Sequence, residues 1–222
     1  VTIAMTGLDQ DLMQKNLKKI KDSTAKIAAY KTLTALSGGT NTEFLIAQLG
    51  EANKEESVAL KNLLLTSKGA NVMEVVNVSM PNVNEITQLA LLDVLAKRSN
   101  ANSANQVFAL IENGSPAVRK AAFAALPNVV NDQDFDKIIE ILGKADASEI
   151  AFAQQAATVA LQNNTDKSAK VAKLAANISR SLSPSSARYF PIFAGEGSPT
   201  ALQAVTNYTG NTNPLKGDAI DR

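Results

Sequence analysis

The stretch Gly114-Ser115-Pro116-Ala117-Val118-Arg119-Lys120-Ala121-Ala122-Phe123-Ala124-Ala125-Leu126 decides the fold. It opens on a turn signal, offers Ser115 as a helix cap with Pro116 behind it, and then sets Val118, Ala121, Ala122, Ala125 and Leu126 at the spacing of one helical face. Four further segments share this layout: Ser23 to Leu36, Lys54 to Ser67, Asn82 to Ser99 and Ser148 to Leu161. Each starts near a polar cap and carries apolar residues at helical spacing. Their leading apolar residues, Ile27, Val58, Ile86, Val118 and Ala153, are separated by 31, 28, 32 and 35 residues. A recurrence in the range of 20 to 50 residues is the signature of a repeat architecture.

A second series lies between the first: Asp9 to Ile20, Thr42 to Leu49, Asn71 to Met80, Ala104 to Glu112, Asp132 to Leu142 and Asp166 to Arg180. The unit is therefore helix, turn, helix. Turn signals fall at Gly38-Gly39, Lys68-Gly69, Pro81-Asn82, Asn113-Gly114, Pro127-Asn128 and Gly143. The β-branched run Val72 to Val78 also holds Met73, Glu74 and Asn77 and reads as helix. Toward the carboxyl end Pro184 and Pro191 bracket a short helix, Ser198 to Tyr208 forms another, and Gly210 to Gly217 is rich in turn residues. Ala219 to Arg222 reads as the opening of a further helix, and Val1 to Leu8 lacks the features of a signal peptide, so the natural protein is expected to extend beyond this stretch.

The Ser-Pro-Ala-Val-Arg-Lys-Ala-Ala run from Ser115 resembles the second helix of HEAT repeats, in which an Asp or Ser cap precedes Val-Arg and then Ala and Leu. The other units keep the spacing and lose the arginine, since Thr87 follows Ile86 and Ala59 follows Val58. The resemblance covers roughly residues 9 to 210. It implies an all-α fold, an alpha-alpha superhelix or α-solenoid of about seven antiparallel pairs on the order of 60 to 70 Å long. It also implies that Arg119 ties neighbouring elements together through an acidic partner or a backbone carbonyl. A narrower resemblance rests on Ala125-Leu126-Pro127-Asn128, Phe135 to Leu142 and Ser198 to Leu202. These are similar to helical-repeat segments beside a sugar-hydrolase-like β-sandwich, of the 3-keto-disaccharide-hydrolase type, in large secreted bacterial proteins. That likeness implies a periplasmic or secreted location and an accessory role in positioning a carbohydrate-active domain.

Composition narrows the chemistry. Among 222 residues there is no histidine and no cysteine, which removes Ser-His-Asp and Cys-His catalysis, disulfides and His- or Cys-liganded zinc. Aromatic residues make up 5%, tryptophan is absent, and alanine pairs recur, so the core is built from small and aliphatic side chains. With 22 basic against 21 acidic residues there is no overall field to draw in nucleic acid or an anionic membrane. Locally, residues 1–36 carry six lysines against three aspartates, net +3, and residues 164–190 carry five basic side chains against Asp166, net +4. Residues 131–150 carry six acids against Lys137 and Lys144, net −4, which interrupts any positive stripe. Together with the scarcity of aromatics this disfavours nucleic-acid binding. No apolar run is long enough to span a bilayer.

Three motifs suggest sites and fail on detail. Asp132, Asp134 and Asp136 open like a calcium loop, but Lys137 stands where glycine is required and Gly143 where a bidentate glutamate is required. They read as acids at a helix start. Gly195-Glu196-Gly197-Ser198 completes no phosphate-binding fingerprint and reads as an interhelix turn. Glu55 and Glu56 are neighbours that diverge on a helix, so they read as cap-proximal acids rather than an acid and base pair.

The sequence thus predicts a non-catalytic HEAT-like solenoid over 1–210 with a turn-rich connector over 211–222, expected to be a monomer. It has no cofactor, metal or catalytic residue to assign, and its expected partner is another protein or a neighbouring domain of the same chain. If the second helices line a concave face, Lys61, Gln88, Lys120 and Gln155 are the side chains they present.

Overall fold

The computed structural model describes residues 12, 14–99, 101–162, 164–181, 184–210, 213 and 216–220. Every regular element among them is helical. From Ser23 onward the α-helices are α1 (Ser23–Leu36), α2 (Thr42–Leu49), α3 (Lys54–Thr66), α4 (Val72–Ser79), α5 (Glu85–Arg98), α6 (Ala104–Asn113) and α7 (Pro116–Ala125). They are followed by α8 (Phe135–Lys144), α9 (Ile150–Gln162), α10 (Lys167–Ser181), α11 (Phe190–Glu196), α12 (Pro199–Thr206) and the short α13 (Lys216–Ile220). Single 3-10 turns at Met80–Asn82, Leu126–Asn128 and Asp132–Asp134 carry the chain around corners, and Pro184–Tyr189 is a longer one. The run from Val72 is helical as its mixed composition predicts. Most of the segment expected as a helix from Asp9 lies outside the described residues, and residues 14–17 are helical.

The caps set a stricter register than the apolar residues suggested. Asp22, Asn53, Asn84 and Ser115 each accept a hydrogen bond from the amide three residues on: Ala25 at 2.8 Å, Glu56 at 3.0 Å, Thr87 at 2.9 Å and Val118 at 3.3 Å. The steps from 22 to 53, 53 to 84 and 84 to 115 are each 31 residues. A further 31 reaches Asp146, where the polarity reverses and the Glu149 carboxylate accepts from the Asp146 amide at 2.9 Å.

The core keeps the same step. Leu60, Leu91, Ala122 and Ala153 are 31 residues apart and fully buried, as are Leu33, Leu64, Leu95, Leu126 and Ala157 to within 2% exposure. In the intervening helices Leu45, Val76, Val107 and Ile138 form one buried series and Leu49, Met80, Ile111 and Leu142 another. Positions seven and eleven beyond each cap lie on one face, which is the face that packs.

This corrects the sequence register at two anchors. Val58 is 51% exposed and Ile86 is 61% exposed. Val58 lies five residues past its cap and Ile86 two past its own, whereas Val118 lies three past Ser115 and is fully buried. Aligning on the first prominent apolar residue mixes faces, and that mixing produced the uneven separations.

The described chain divides inside α7 into two compact units, Val1–Ala122 and Phe123–Arg222, a division not anticipated within residues 1–210. In the first unit α1 packs on α3 and α3 on α5, while α2 packs on α3, α4 and α5. Partners one step apart are tied by polar links. Buried Glu56 accepts from Ser23 Oγ at 3.1 Å and from Lys26 Nζ at 3.2 Å, and Lys61 reaches Asp93 at 2.7 Å. Arg98, on the last turn of α5, donates to the carbonyls of Leu64 at 2.6 Å and Ser67 at 3.2 Å, and so closes the carboxyl end of α3. Gly39 has φ +84°, and a Cβ there would stand 2.6 Å from Ser67 Oγ, so glycine is required where these two turns meet.

In the second unit α9 packs on α8, on the Leu126–Asn128 turn and on α11, and α12 packs on α10 and α11. The 31-residue step fades here. The positions one step beyond Ile138 and Leu142 are Ala169 and Lys173, both exposed, and α10 instead buries Val171, Leu174 and Ile178. Arg188 closes the end of α8 through the carbonyls of Leu142 at 2.8 Å, Gly143 at 3.1 Å and Ala145 at 3.3 Å. Gln154 Nε2 in turn donates to the Arg188 carbonyl at 2.6 Å.

Candidate functional site

The four expected surface residues meet different fates. Lys61 on α3 is held by Asp93 at 2.7 Å, and Lys97 shares that carboxylate at 3.0 Å. Burial works against ionisation of Asp93, but the two lysines outweigh it and hold its pKa below the usual carboxylate range. Lys61 is therefore part of a link between α3 and α5. Lys120 on α7 and Gln155 on α9 stand exposed. Gln88 on α5 lines a groove of about 460 Å³ in the first unit.

That groove is formed where the chain leaves α4 through Met80 and Pro81, passes Gln88, and meets the outer side of α6. Met80, Pro81, Ala109 and Leu110 supply its apolar surface, and Asn105, Gln106 and Asn113 bring further carboxamides to Gln88. No charged side chain lines it among the described residues. Two of the carboxamides are fixed by their own amino groups: Gln88 Nε2 donates to the Met80 carbonyl and Asn113 Nδ2 to the Ala109 carbonyl, each at 3.1 Å. Gln106 Oε1 is buried with no hydrogen-bond partner. At the far end the chain turns into α7 through Gly114 and the cap Ser115. A Cβ on Gly114 would lie 2.5 Å from the Leu110 carbonyl oxygen and 2.8 Å from Val118, so the turn closes this tightly because the residue is glycine. The sequence marks Gln88 as a surface residue and Gly114-Ser115 as a turn and cap, and neither implies a groove. The α6 carboxamides carry no signal in the sequence, because Asn105 and Gln106 sit at the start of a helix whose pattern is set by its apolar residues.

The weaker motifs resolve into local structure. Asp134 accepts from the Asn131 amide at 2.8 Å as half of a capping box, and burial raises its pKa. Asp136 binds Lys173 at 3.0 Å and Lys170 at 3.1 Å, and its pKa is held low first by Lys173. Among the described residues no group of three or more acidic side chains is placed to hold a metal ion. At Gly197, φ +72° ends α11, and Ser198 caps α12 by accepting from the Ala201 amide at 3.2 Å. Glu196 Oε2 accepts from the Ser198 amide at 3.1 Å, which places a carboxylate where a phosphate-binding loop would need an open amide. Glu56 is buried within the link to α1, and Glu55 is exposed. Arg119 Nη1 donates to the Ile111 carbonyl at 2.7 Å, across the turn from α6 to α7.

Among the described residues no helix is long and apolar enough to cross a membrane. No family model matches the chain, and neither does any curated protein or solved structure, so its residues and their geometry carry the functional reading.

Proposed function

We propose that this chain is a non-catalytic repeat module, an α-solenoid of HEAT-like helix pairs that recognises a protein partner or a neighbouring domain. The observation that carries the reading is the uncharged groove containing Gln88. It opens within a strictly periodic segment, where carboxamides, apolar side chains and the capping hydroxyl of Ser115 meet, with no charged side chain among the described residues that line it. The common step of 31 residues supports it as well, because a constant register turns the same helix face outward at each repeat and offers an extended partner recurring contacts. Groups suited to fixing a ligand's orientation are present in the carboxamides, and the one hydroxyl of the lining, that of Ser115, serves as a helix cap.

The test is site-specific photo-crosslinking in cells, with a photoreactive residue placed in turn at Lys61, Gln88, Lys120 and Gln155. A discrete adduct from Gln88, absent when the probe sits at buried Leu91, is the expected result. Absence of an adduct from all four positions would sink the reading.

A further inference from the structure

We infer that the Gln88 groove takes an extended, uncharged stretch of polypeptide, which donates its backbone N–H groups to the carboxamide oxygens of Gln88 and Asn113; this rests on the binding-module reading above. The direction of the hydrogen bonds follows from what each carboxamide already does. Gln88 and Asn113 each donate one N–H of the amino group to a backbone carbonyl within the fold. Among the described residues their oxygens have no other partner, and Asn113 is exposed and Gln88 half-buried. A carboxamide held through one N–H presents its oxygen in a fixed direction, so the groove offers two placed acceptors to a ligand that brings donors.

The absence of charge selects which donors. An ammonium or guanidinium entering a groove without a carboxylate would lose water and gain no counter-charge, so neutral N–H groups are favoured. Among neutral N–H donors on a polypeptide, those of a helix are already bonded to its own carbonyls, and only its first turn could donate. An extended segment keeps its amides free and alternates its side chains. One apolar side chain of such a segment can rest on Met80, Pro81 and Leu110 while the amides on either side reach Gln88 and Asn113. A volume of about 460 Å³ suits a few residues and not a whole helix.

The experiment uses the full chain, labelled with nitrogen-15, and the blocked pentapeptide acetyl-Ser-Ala-Leu-Ala-Ser-amide as the probe. Two companions accompany it: the same peptide N-methylated at Leu and the following Ala, and a version with Lys in place of Leu. The parent peptide is expected to give saturable shifts at the side-chain amides of Gln88 and Asn113 and along α6, with a dissociation constant on the order of 1 mM. N-methylation removes the donors while leaving the protein unaltered, and should weaken binding about tenfold. The lysine peptide should weaken it by a similar factor. Gln88→Leu and Asn113→Leu should each weaken parent binding about fivefold. Equal binding of the N-methylated and parent peptides would overturn the inference, as would no saturable shift in the groove with the parent peptide. If crosslinks still form from Lys61, Lys120 or Gln155 in that case, the binding-module reading stands and the peptide groove alone falls.

Discussion

Thr42 illustrates how a single residue can depart from the pattern around it. Its side chain is 1% exposed and its Oγ1 has no hydrogen-bond partner, while the positions 31, 62 and 93 residues further on are Met73, Ala104 and Phe135. Three repeats place an apolar residue there and one places a hydroxyl. Thr42→Val keeps the shape and removes the unpaired group, so it should stabilise the protein by about 1 kcal/mol in urea unfolding. Asn77 repeats the situation, with Oδ1 unpaired at a position held elsewhere by Ile46, Phe108 and Ile139. Tyr30 yields a pH prediction. Burial, then the nearby carboxylates of Glu56 and Glu51, push its pKa from 10.0 up to about 12. The folded value lies above the unfolded one, so its contribution to stability is complete below pH 10 and is lost as pH rises from there through about 12. Urea midpoints measured at intervals across that range should fall, and Tyr30→Phe should flatten the fall.

At the scale of the helix, the caps and the buried faces make opposite demands on two sets of residues, and substitution separates them. Val58→Ala and Ile86→Ala should change stability by no more than about 0.5 kcal/mol, because both side chains are exposed. Leu60→Ala and Leu91→Ala should each cost about 2–5 kcal/mol, because both are fully buried. Asn84→Ala should cost about 1 kcal/mol through loss of the bond from Thr87. Helix limits were readable from turn residues and caps, and α1 and α2 fall on the expected residues. Which face is buried was not readable. In α3 and α5 apolar residues occur on more than one side, so spacing alone permits two registers, and burial decides between them only once neighbouring helices are in place. The groove was hidden for a related reason: Gln88 and Asn113 are ordinary surface residues until the turns after α4 and α6 fix them.

Across the molecule, the same register position is filled by leucine at 33, 64, 95 and 126 and by alanine at 157. A rule drawn from the other repeats would restore leucine at 157. Ala157 is nevertheless fully buried, and α9 packs closely through Ala153, Ala156, Ala157 and Ala160. Ala157→Leu should therefore destabilise by about 1–3 kcal/mol through overpacking, measured by thermal unfolding against the parent. The all-helical class was readable from composition and period. The division of the chain inside α7 and the loss of the step in α10 were not, because both depend on which helices find each other after the period ends.

The constant interval between caps has an evolutionary consequence. A segment running from Asn53 to Val83 begins on a cap and stops one residue short of the next, so it is a self-contained cassette. Copying it in tandem after Val83 would bring every later helix back into phase, whereas gaining or losing one residue inside it would rotate a helix by about 100° and turn its leucines toward water. Such a chain can lengthen in whole cassettes and resists change in smaller ones.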